Sequence, residues 1–193
     1  MKKILLTMAV AVLTVAASAQ NRFYAGGSLG YGSNSYDGAI TTQSFTILPE
    51  IGYVLNDKMT IGAELGYKSV SNKSHEPVQT DGTFSFNPYF RYTFFSVGKV
   101  DVFGDAMFSL GLISHKSSYD GGTTSTSNAT SLGFYVKPGI AYNLNDKFSL
   151  VAKFGNVLGF SSARSGDSGA KASTAFELMN LSNKLAFGFY YNF

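Results

Sequence analysis

The last nine residues of the chain, LAFGFYYNF at positions 185–193, alternate in character from one residue to the next. One face of this segment carries only large apolar side chains, namely Leu185, Phe187, Phe189, Tyr191 and Phe193. This period of two predicts a β-strand with one continuous apolar face. Chain ends are normally polar and frayed, so a terminal strand of this kind requires an apolar environment for that face.

The same alternation recurs along the chain, in segments that are separated in turn by short and long breaks. The short breaks contain LNDK at 55–58, SVGK at 96–99 and LNDK again at 144–147. The long breaks, near 33–43, 71–82, 116–129 and 162–175, are rich in Ser, Thr, Gly, Asn and Asp, as loops are. The pattern predicts eight strands, at about 22–32, 44–55, 59–70, 83–95, 100–115, 130–144, 148–161 and 178–193.

The faces opposite the apolar ones decide whether the apolar side chains point into a core or outward into lipid. They carry mostly Gly, Ser, Thr, Ala and Asn, whereas a water-facing surface would carry many more Lys and Glu residues. Their charges comprise four acids and four bases: Glu50, Glu64, Arg91, Asp101, Asp105, Lys137, Lys153 and Lys184. Most lie about five or six residues from a short turn, at mid-membrane depth, where charge is tolerated only when it faces inward and is paired. The sequence therefore predicts a network of charges in the lumen of a barrel and an apolar band outside.

The N-terminal segment has the features of a secretory signal. Two lysines precede an apolar run at 4–15, and the segment closes on Ala17-Ser18-Ala19. The run is shorter than the roughly 20 residues that a membrane-spanning helix needs, and the A-x-A pattern of Ala17 and Ala19 fits cleavage after Ala19. We therefore expect a cleaved signal peptide at 1–19 and one barrel domain at 20–193.

The composition excludes several classes of protein. There is no cysteine, which excludes disulfides, thiolate metal sites and a cysteine nucleophile. Without the two lysines of the signal, 13 basic residues face 12 acidic ones, so the mature chain is nearly neutral and no nucleic-acid partner is expected. Charged residues make up only 14% of the chain and aromatic residues 15%, with 21 glycines, which is unusual for a soluble domain.

An unpaired backbone group in hydrocarbon costs several kcal/mol, so the sheet must close by pairing its first strand with its last. The predicted fold is all-β, an eight-stranded antiparallel up-and-down transmembrane β-barrel. The signal, the eight strands, the three short turns, the four long loops and the terminal FGFYYNF resemble the small outer-membrane proteins of the OmpX and OmpA-barrel type. The resemblance implies a monomer among outer-membrane lipids. It also implies that the barrel-assembly machinery reads Phe189, Tyr191 and Phe193.

Candidate catalytic chemistry is sparse. The stretch SHKSSYD contains His115, Ser117 and Asp120 and invites a hydrolase interpretation, because an outer-membrane lipid A deacylase of similar size uses a His-x-Ser pair. In that family the pair faces lipid, whereas His115 and Ser117 share the inward parity of Asp105, and nothing in the sequence holds a nucleophile against a base. No spacing of acidic residues suits a calcium loop. We therefore expect no enzyme activity, no metal and no cofactor.

Three functions remain open from the sequence. The first is a structural or surface-interaction barrel whose outer loops meet an extracellular ligand or a host surface. The second is a narrow pore for small solutes, although eight strands enclose space only for their own side chains. The third is a lipid-modifying hydrolase. Strands five and six run to about 15 residues, whereas about 9 to 11 cross a membrane, so their hairpin is expected to project, with residues 113–131 and the loop around His75 as its interaction element.

Overall fold

A computed structural model describes residues 22–35, 41–73, 78–118, 124–166, 172–180 and 185–193. Every strand pairing among them is antiparallel. The strands are β1 (Phe23–Ser35), β2 (Thr41–Asn56), β3 (Met59–Lys73), β4 (Val78–Val97), β5 (Val100–Ser118), β6 (Thr124–Asn143), β7 (Phe148–Lys153), β8 (Asn156–Ser165), β9 (Ser173–Asn180) and β10 (Ala186–Asn192). No helix within these ranges is long and apolar enough to cross a membrane.

Eight of the strands form a closed ring. Their order is β5-β4-β3-β2-β1-β10-β7-β6, and β6 pairs again with β5. The ring closes where the two ends of the chain meet, with a register that runs from Tyr24 opposite Asn192 to Leu29 opposite Phe187. The antiparallel barrel predicted from the sequence is thus confirmed, including the pairing of its first strand with its terminal strand.

The seventh strand was predicted to be continuous over 148–161, and this was wrong, because it is broken between β7 and β8. The predicted eighth strand, 178–193, includes residues outside the described ranges, and its described strand segments belong to β9 and β10. Gly139 of β6 pairs with Lys153 and Val136 with Leu158, so two residues of β6 lie opposite four of strand seven. This excess makes a bulge in the wall. Alternating hydropathy continues on both sides of the break, which is why the sequence pattern did not show it.

The short turns follow from local hydrogen bonding. The side-chain oxygen of Asn56 accepts hydrogen bonds from the backbone N–H of Lys58 at 3.0 Å and of Met59 at 2.9 Å. In the second LNDK sequence, Asn145 accepts from the backbone N–H groups of the two corresponding positions, each at 2.9 Å. Asparagine favours turns because its side chain can bond to nearby backbone in this way. The third turn contains Gly98 with a φ of 60°, a conformation that favours glycine.

The apolar faces point outward, as predicted. Large side chains on them remain exposed, for example Phe94 at 57% and Phe187 at 63%. At the end of the barrel that carries the short turns, aromatic rings form contacts between neighbouring strands, with centroids 5.1 Å apart for Phe148 and Tyr191 and 4.7 Å for Phe23 and Tyr53. An apolar band edged by aromatic rings is the surface that a lipid bilayer requires.

Closure predicts unusual resistance to detergent. Because the ring strands hydrogen-bond to one another from β1 to β10, opening the barrel breaks a whole seam at once. We expect unheated protein in dodecyl sulfate to migrate faster on a gel than boiled protein. Identical mobility before and after boiling, together with a helical circular dichroism spectrum, would contradict the fold.

Candidate functional site

Five charged side chains meet in the lumen at the level of the wall bulge. Glu50, Glu64, Arg91, Asp105 and Lys153 come from β2, β3, β4, β5 and β7, and each is no more than 6% exposed. Their meeting follows from the register, because Glu50 lies opposite Glu64 and Arg91 lies opposite Asp105 on neighbouring strands. We call this set of five the lumen network.

Arg91 lies at the centre of the lumen network. Its Nε donates to Oδ1 of Asp105 at 2.7 Å and its terminal nitrogen donates to Oδ2 at 2.9 Å, which is a bidentate pair. The same terminal nitrogen lies 3.4 Å from Glu50 Oε1. The guanidinium also stacks on the Phe103 ring, 3.9 Å from its centroid. Planar bidentate pairing and ring stacking are the two contacts that arginine makes better than lysine.

Lys153 lies near all three carboxylates of the lumen network. Its Nζ bonds Glu50 directly, lies 3.2 Å from Glu64 Oε2 and lies 3.8 Å from Asp105 Oδ2. Two glutamates placed opposite each other on adjacent strands would repel, so a cation between them is required for both to remain ionised in a buried site. The network therefore holds three acids and two bases in mutual contact.

Three tyrosines lie against the lumen network, and sequence analysis did not single them out. Tyr24 and Tyr89 hydrogen-bond to each other through their hydroxyls, and Tyr89 donates to Glu50 Oε1 at 3.0 Å. Tyr190 accepts a hydrogen bond from Arg91 at 3.0 Å, and its ring packs on Tyr24 with centroids 4.5 Å apart. Each occupies an inward position in a sequence of otherwise small side chains, which is the signal that could have identified them. Their rings fill the lumen around the charges.

The predicted lumen charges Asp101 and Lys137 make further contacts inside the barrel. Asp101 is half-buried nearer the short turns and accepts a hydrogen bond from Asn143 Nδ2 at 2.6 Å. Lys137 is the register partner of Asp105 on β6, and its Nζ lies 5.7 Å from the centroid of the Tyr135 ring. Lys184 lies outside the described residues. Among the predicted charges, ion pairs connect Glu50, Glu64, Arg91, Asp105 and Lys153.

A cavity of about 350 Å³ lies against the lumen network on the side away from the short turns. Glu64, Asn87 and Lys153 belong both to the cavity wall and to the network or its hydrogen-bonded surroundings. Much of the remaining wall consists of small inward residues, including Gly30 and Ser131. The barrel thus has a filled half near the short turns and a hollow half beyond it.

The histidine at the outer end of the barrel pairs with an acid on the neighbouring strand β4. His115 Nδ1 lies 2.7 Å from Asp81 Oδ1, and its register partner on β6 is Ser127. The side chains of the His115–Asp81 pair are 47% and 39% exposed. Asp120 and His75 lie outside the described residues, so the SHKSSYD grouping is not seen as a unit. No group of histidines and acids in the described ranges could hold a metal ion.

The proposed assembly residues lie on the outer face of β10 and at its end. Phe189 is 57% exposed, and the rings of Tyr191 and Phe193 pack edge to face with centroids 4.8 Å apart. The backbone N–H of Phe193 donates to the carbonyl of Phe23 at 3.0 Å, which extends the seam to the terminal residue. All three are therefore placed beside the closing seam.

The fold and the lumen network define a transmembrane barrel of the outer-membrane class. The family described as outer membrane protein beta-barrel domain matches residues 4–193, so the chain belongs to this family. A comparison of the sequence with curated proteins finds no match.

Solved structures of outer-membrane proteins have a similar fold. The translocator domain of autotransporter NalP from Neisseria meningitidis is 12% identical with a TM-score of 0.51, over 91% of this chain and 65% of that one. A major outer membrane protein from Thermus thermophilus is 14% identical with a TM-score of 0.51, over 91% of this chain and 100% of that one. Neisserial surface protein A is 19% identical with a TM-score of 0.48, over 89% and 97%. At these identities the likeness concerns the fold alone. With the family assignment, the protein resides in the outer membrane as an integral barrel.

Proposed function

We propose that this outer-membrane barrel is a non-conducting, non-enzymatic surface protein whose outer β-sheet meets partners outside the cell. The observation that carries the proposal is the length of β4, β5 and β6, which have 20, 19 and 20 residues. About 9 to 11 residues are enough to cross a bilayer. Since β5 and β6 pair without interruption from Val100–Tyr142 to Ser118–Thr124, the excess forms a sheet that stands out from the membrane.

The projecting sheet offers hydrogen-bonding groups along one edge. The last β8 residue paired with β6 is Ser165, opposite Ala129, so within the described ranges the edge of residues 124–127 facing away from β5 has no strand beside it. This edge carries only serine and threonine. Such an edge can accept an extended segment of a partner as a further strand, with backbone hydrogen bonds providing the affinity.

The lumen network supports a plugged barrel over a pore. Its five side chains and the three tyrosines that contact them are each no more than 6% exposed, and together they join opposite walls of the lumen. Passage of a hydrated ion would require these pairs to separate inside a low-dielectric site. We expect no steady large conductance from the protein in planar bilayers, and a steady conductance would favour the pore instead.

A hydrolase is the second candidate, and the His115–Asp81 pair is the observation that favours it. An acid that orients a histidine beside a serine on the next strand is the beginning of a catalytic triad. The pair is widely exposed, however, whereas nucleophilic catalysis needs a held geometry and donors for an oxyanion. Mass spectrometry of lipid A from cells with and without the protein tests it, and a lost acyl chain that is restored by His115→Ala would establish the enzyme.

The surface role predicts that the hairpin can be removed without loss of the barrel. We expect that replacing residues 116–126 by Asn-Gly, which joins the register partners His115 and Ser127 through a favoured hairpin turn, keeps the heat-dependent gel shift. The same variant should abolish attachment of expressing cells to protein-coated surfaces. Lys99→Ala, at a short turn on the opposite end of the barrel, is the control and should attach like the wild type. A folded hairpin variant that attaches normally would remove this sheet as the interaction element.

A further inference from the structure

The cavity in the hollow half of the barrel has a wall that the bulge between β7 and β8 reshapes. Phe154, Gly155 and Asn156, at the break in strand seven, all line it. A bulge re-aims side chains that a regular strand would place elsewhere. Here it sets Asn156, the first residue of β8, into the lumen, where it is only 2% exposed.

Asn156 has an unused hydrogen-bonding group beside this cavity. Its Nδ2 donates to Glu177 Oε2 at 2.7 Å, whereas its Oδ1 has no hydrogen-bond partner among the described residues. A buried acceptor without a donor costs free energy, because water no longer satisfies it. Oδ1 itself has almost no accessible surface, so a ligand hydroxyl reaches it only after a rotation of the Asn156 side chain toward the cavity. An amide next to a carboxylate suits a molecule with neighbouring hydroxyl groups.

Tyr135 provides a flat apolar surface in the same cavity. Its ring lies across two glycines of the wall, since a Cβ added at Gly133 would lie 2.6 to 2.8 Å from three of its atoms and one at Gly159 would lie 3.1 Å from its Cδ1. Any larger residue at Gly133 would lift the ring from the wall. The ring also lines the cavity, and Lys137 Nζ lies 5.7 Å from its centroid. Such a ring is a stacking platform.

The rest of the lining decides the charge of the ligand. It contains three lysines and two glutamates, and the other positions are mostly hydroxyl, amide and glycine with a few apolar side chains, so the excess of charge is small. An acyl chain would remove these polar groups from water without offering hydrogen bonds in return. A neutral molecule with many hydroxyls and one apolar face fits both the polar wall and the ring.

We propose that this cavity is a binding site for a neutral pyranose carbohydrate, which stacks one face on Tyr135 and donates a hydrogen bond from a hydroxyl group to Asn156. The volume of about 350 Å³ is at the lower end of the range for small-ligand pockets, roughly 300 to 1,000 Å³, and limits the ligand to one or two sugar rings. The site lies inside the barrel, apart from the projecting sheet, so it stands or falls independently of the surface role.

Saturation-transfer NMR on the folded protein tests the proposal. The protein is held in dimethyldodecylamine oxide micelles, because maltoside and glucoside detergents carry the competing group. The probes are the methyl pyranosides of glucose, galactose, mannose and N-acetylglucosamine, together with maltose, and dodecanoate serves as the hydrocarbon probe. We expect transfer to the ring protons of at least one saccharide, with a dissociation constant that rises at least tenfold in Tyr135→Ala.

Two glycine variants make the test specific to the cavity. Gly30 faces the cavity, and a Cβ there would meet only Thr46 Cβ at 3.6 Å, so Gly30→Leu should fold and fill the space. A Cβ at Gly82 would meet nothing within 4 Å, so Gly82→Leu is the matched control. Saccharide binding should be lost in Gly30→Leu and kept in Gly82→Leu, with the gel shift intact in both. Binding of no saccharide, binding that survives both Tyr135→Ala and Gly30→Leu, or Gly30-dependent binding of dodecanoate alone would overturn the proposal.

Discussion

Replacing Arg91 by methionine should lower the free energy of unfolding of the barrel by about 3 to 5 kcal/mol, the usual cost of breaking a buried ion pair from one side. The substitution removes the bidentate pair with Asp105, whose side chain is fully buried, and leaves Lys153 Nζ 3.8 Å from that carboxylate. It also removes the donor to Tyr190 and the stacking on Phe103. Methionine fills much of the space but satisfies none of these polar groups.

Urea titration of folding into phospholipid vesicles measures this change, with the unheated gel band as the folded fraction. Arg22→Met is the matched control, because Arg22 is exposed at the end of the barrel, and its unfolding free energy should stay within about 0.5 kcal/mol of the wild type. The double variant Arg91→Met with Asp105→Asn should cost less than the two single changes combined, since it removes both members of a contacting pair. Strict additivity would indicate a hydrated lumen in which the two charges do not interact.

A second large effect is expected at the seam, where Gly188→Val should cost more than about 4 kcal/mol, the range reached by severe steric changes. Gly188 lies opposite Ser28, and a Cβ at this position would overlap the carbonyl oxygen of Gly27 on β1. The obstacle is backbone, which cannot rotate away as a side chain can. The two strands must therefore separate, and a separated seam exposes unpaired backbone groups to lipid.

Loss of the fast-migrating unheated band in Gly188→Val would register this failure to close. Gly82→Val is the control for valine at a strand glycine, since open space surrounds that position, and it should fold normally. If Gly188→Val gave a wild-type gel shift and a wild-type urea midpoint, the close approach of β1 and β10 would not be a requirement of the barrel.

The fold could be predicted from the sequence because lipid imposes a strict pattern. Every residue such as Phe187 that faces hydrocarbon must be apolar, every second residue must face inward, and no edge can remain open. The inward placement of Glu50, Glu64, Arg91 and Asp105 followed from the same alternation together with their distance from the short turns. The alternation along each strand and the depth of a residue in the membrane can thus be predicted without knowledge of tertiary contacts.

The break in strand seven and the role of the tyrosines could not be predicted in this way. A bulge changes register by a few residues while leaving alternation intact on both sides, so its position depends on packing between neighbouring strands. Tyr24, Tyr89 and Tyr190 are amphipathic and suit a lipid interface as well as a lumen. Alternation places them on the inward face, but only the three-dimensional structure shows that their hydroxyls meet Glu50 and Arg91.

The asparagine-capped turns at Asn56 and Asn145 bear on the order in which the barrel folds. Each closes a loop of a few residues, and the entropy lost in closing a loop grows with its length. The β2–β3 and β6–β7 hairpins can therefore form early and locally, whereas the β1–β10 seam joins opposite ends of the chain. Contacts of such long sequence separation form slowly. The chain should accordingly persist as a curved sheet with two open edges until its last strand arrives, and the final residues control when folding ends.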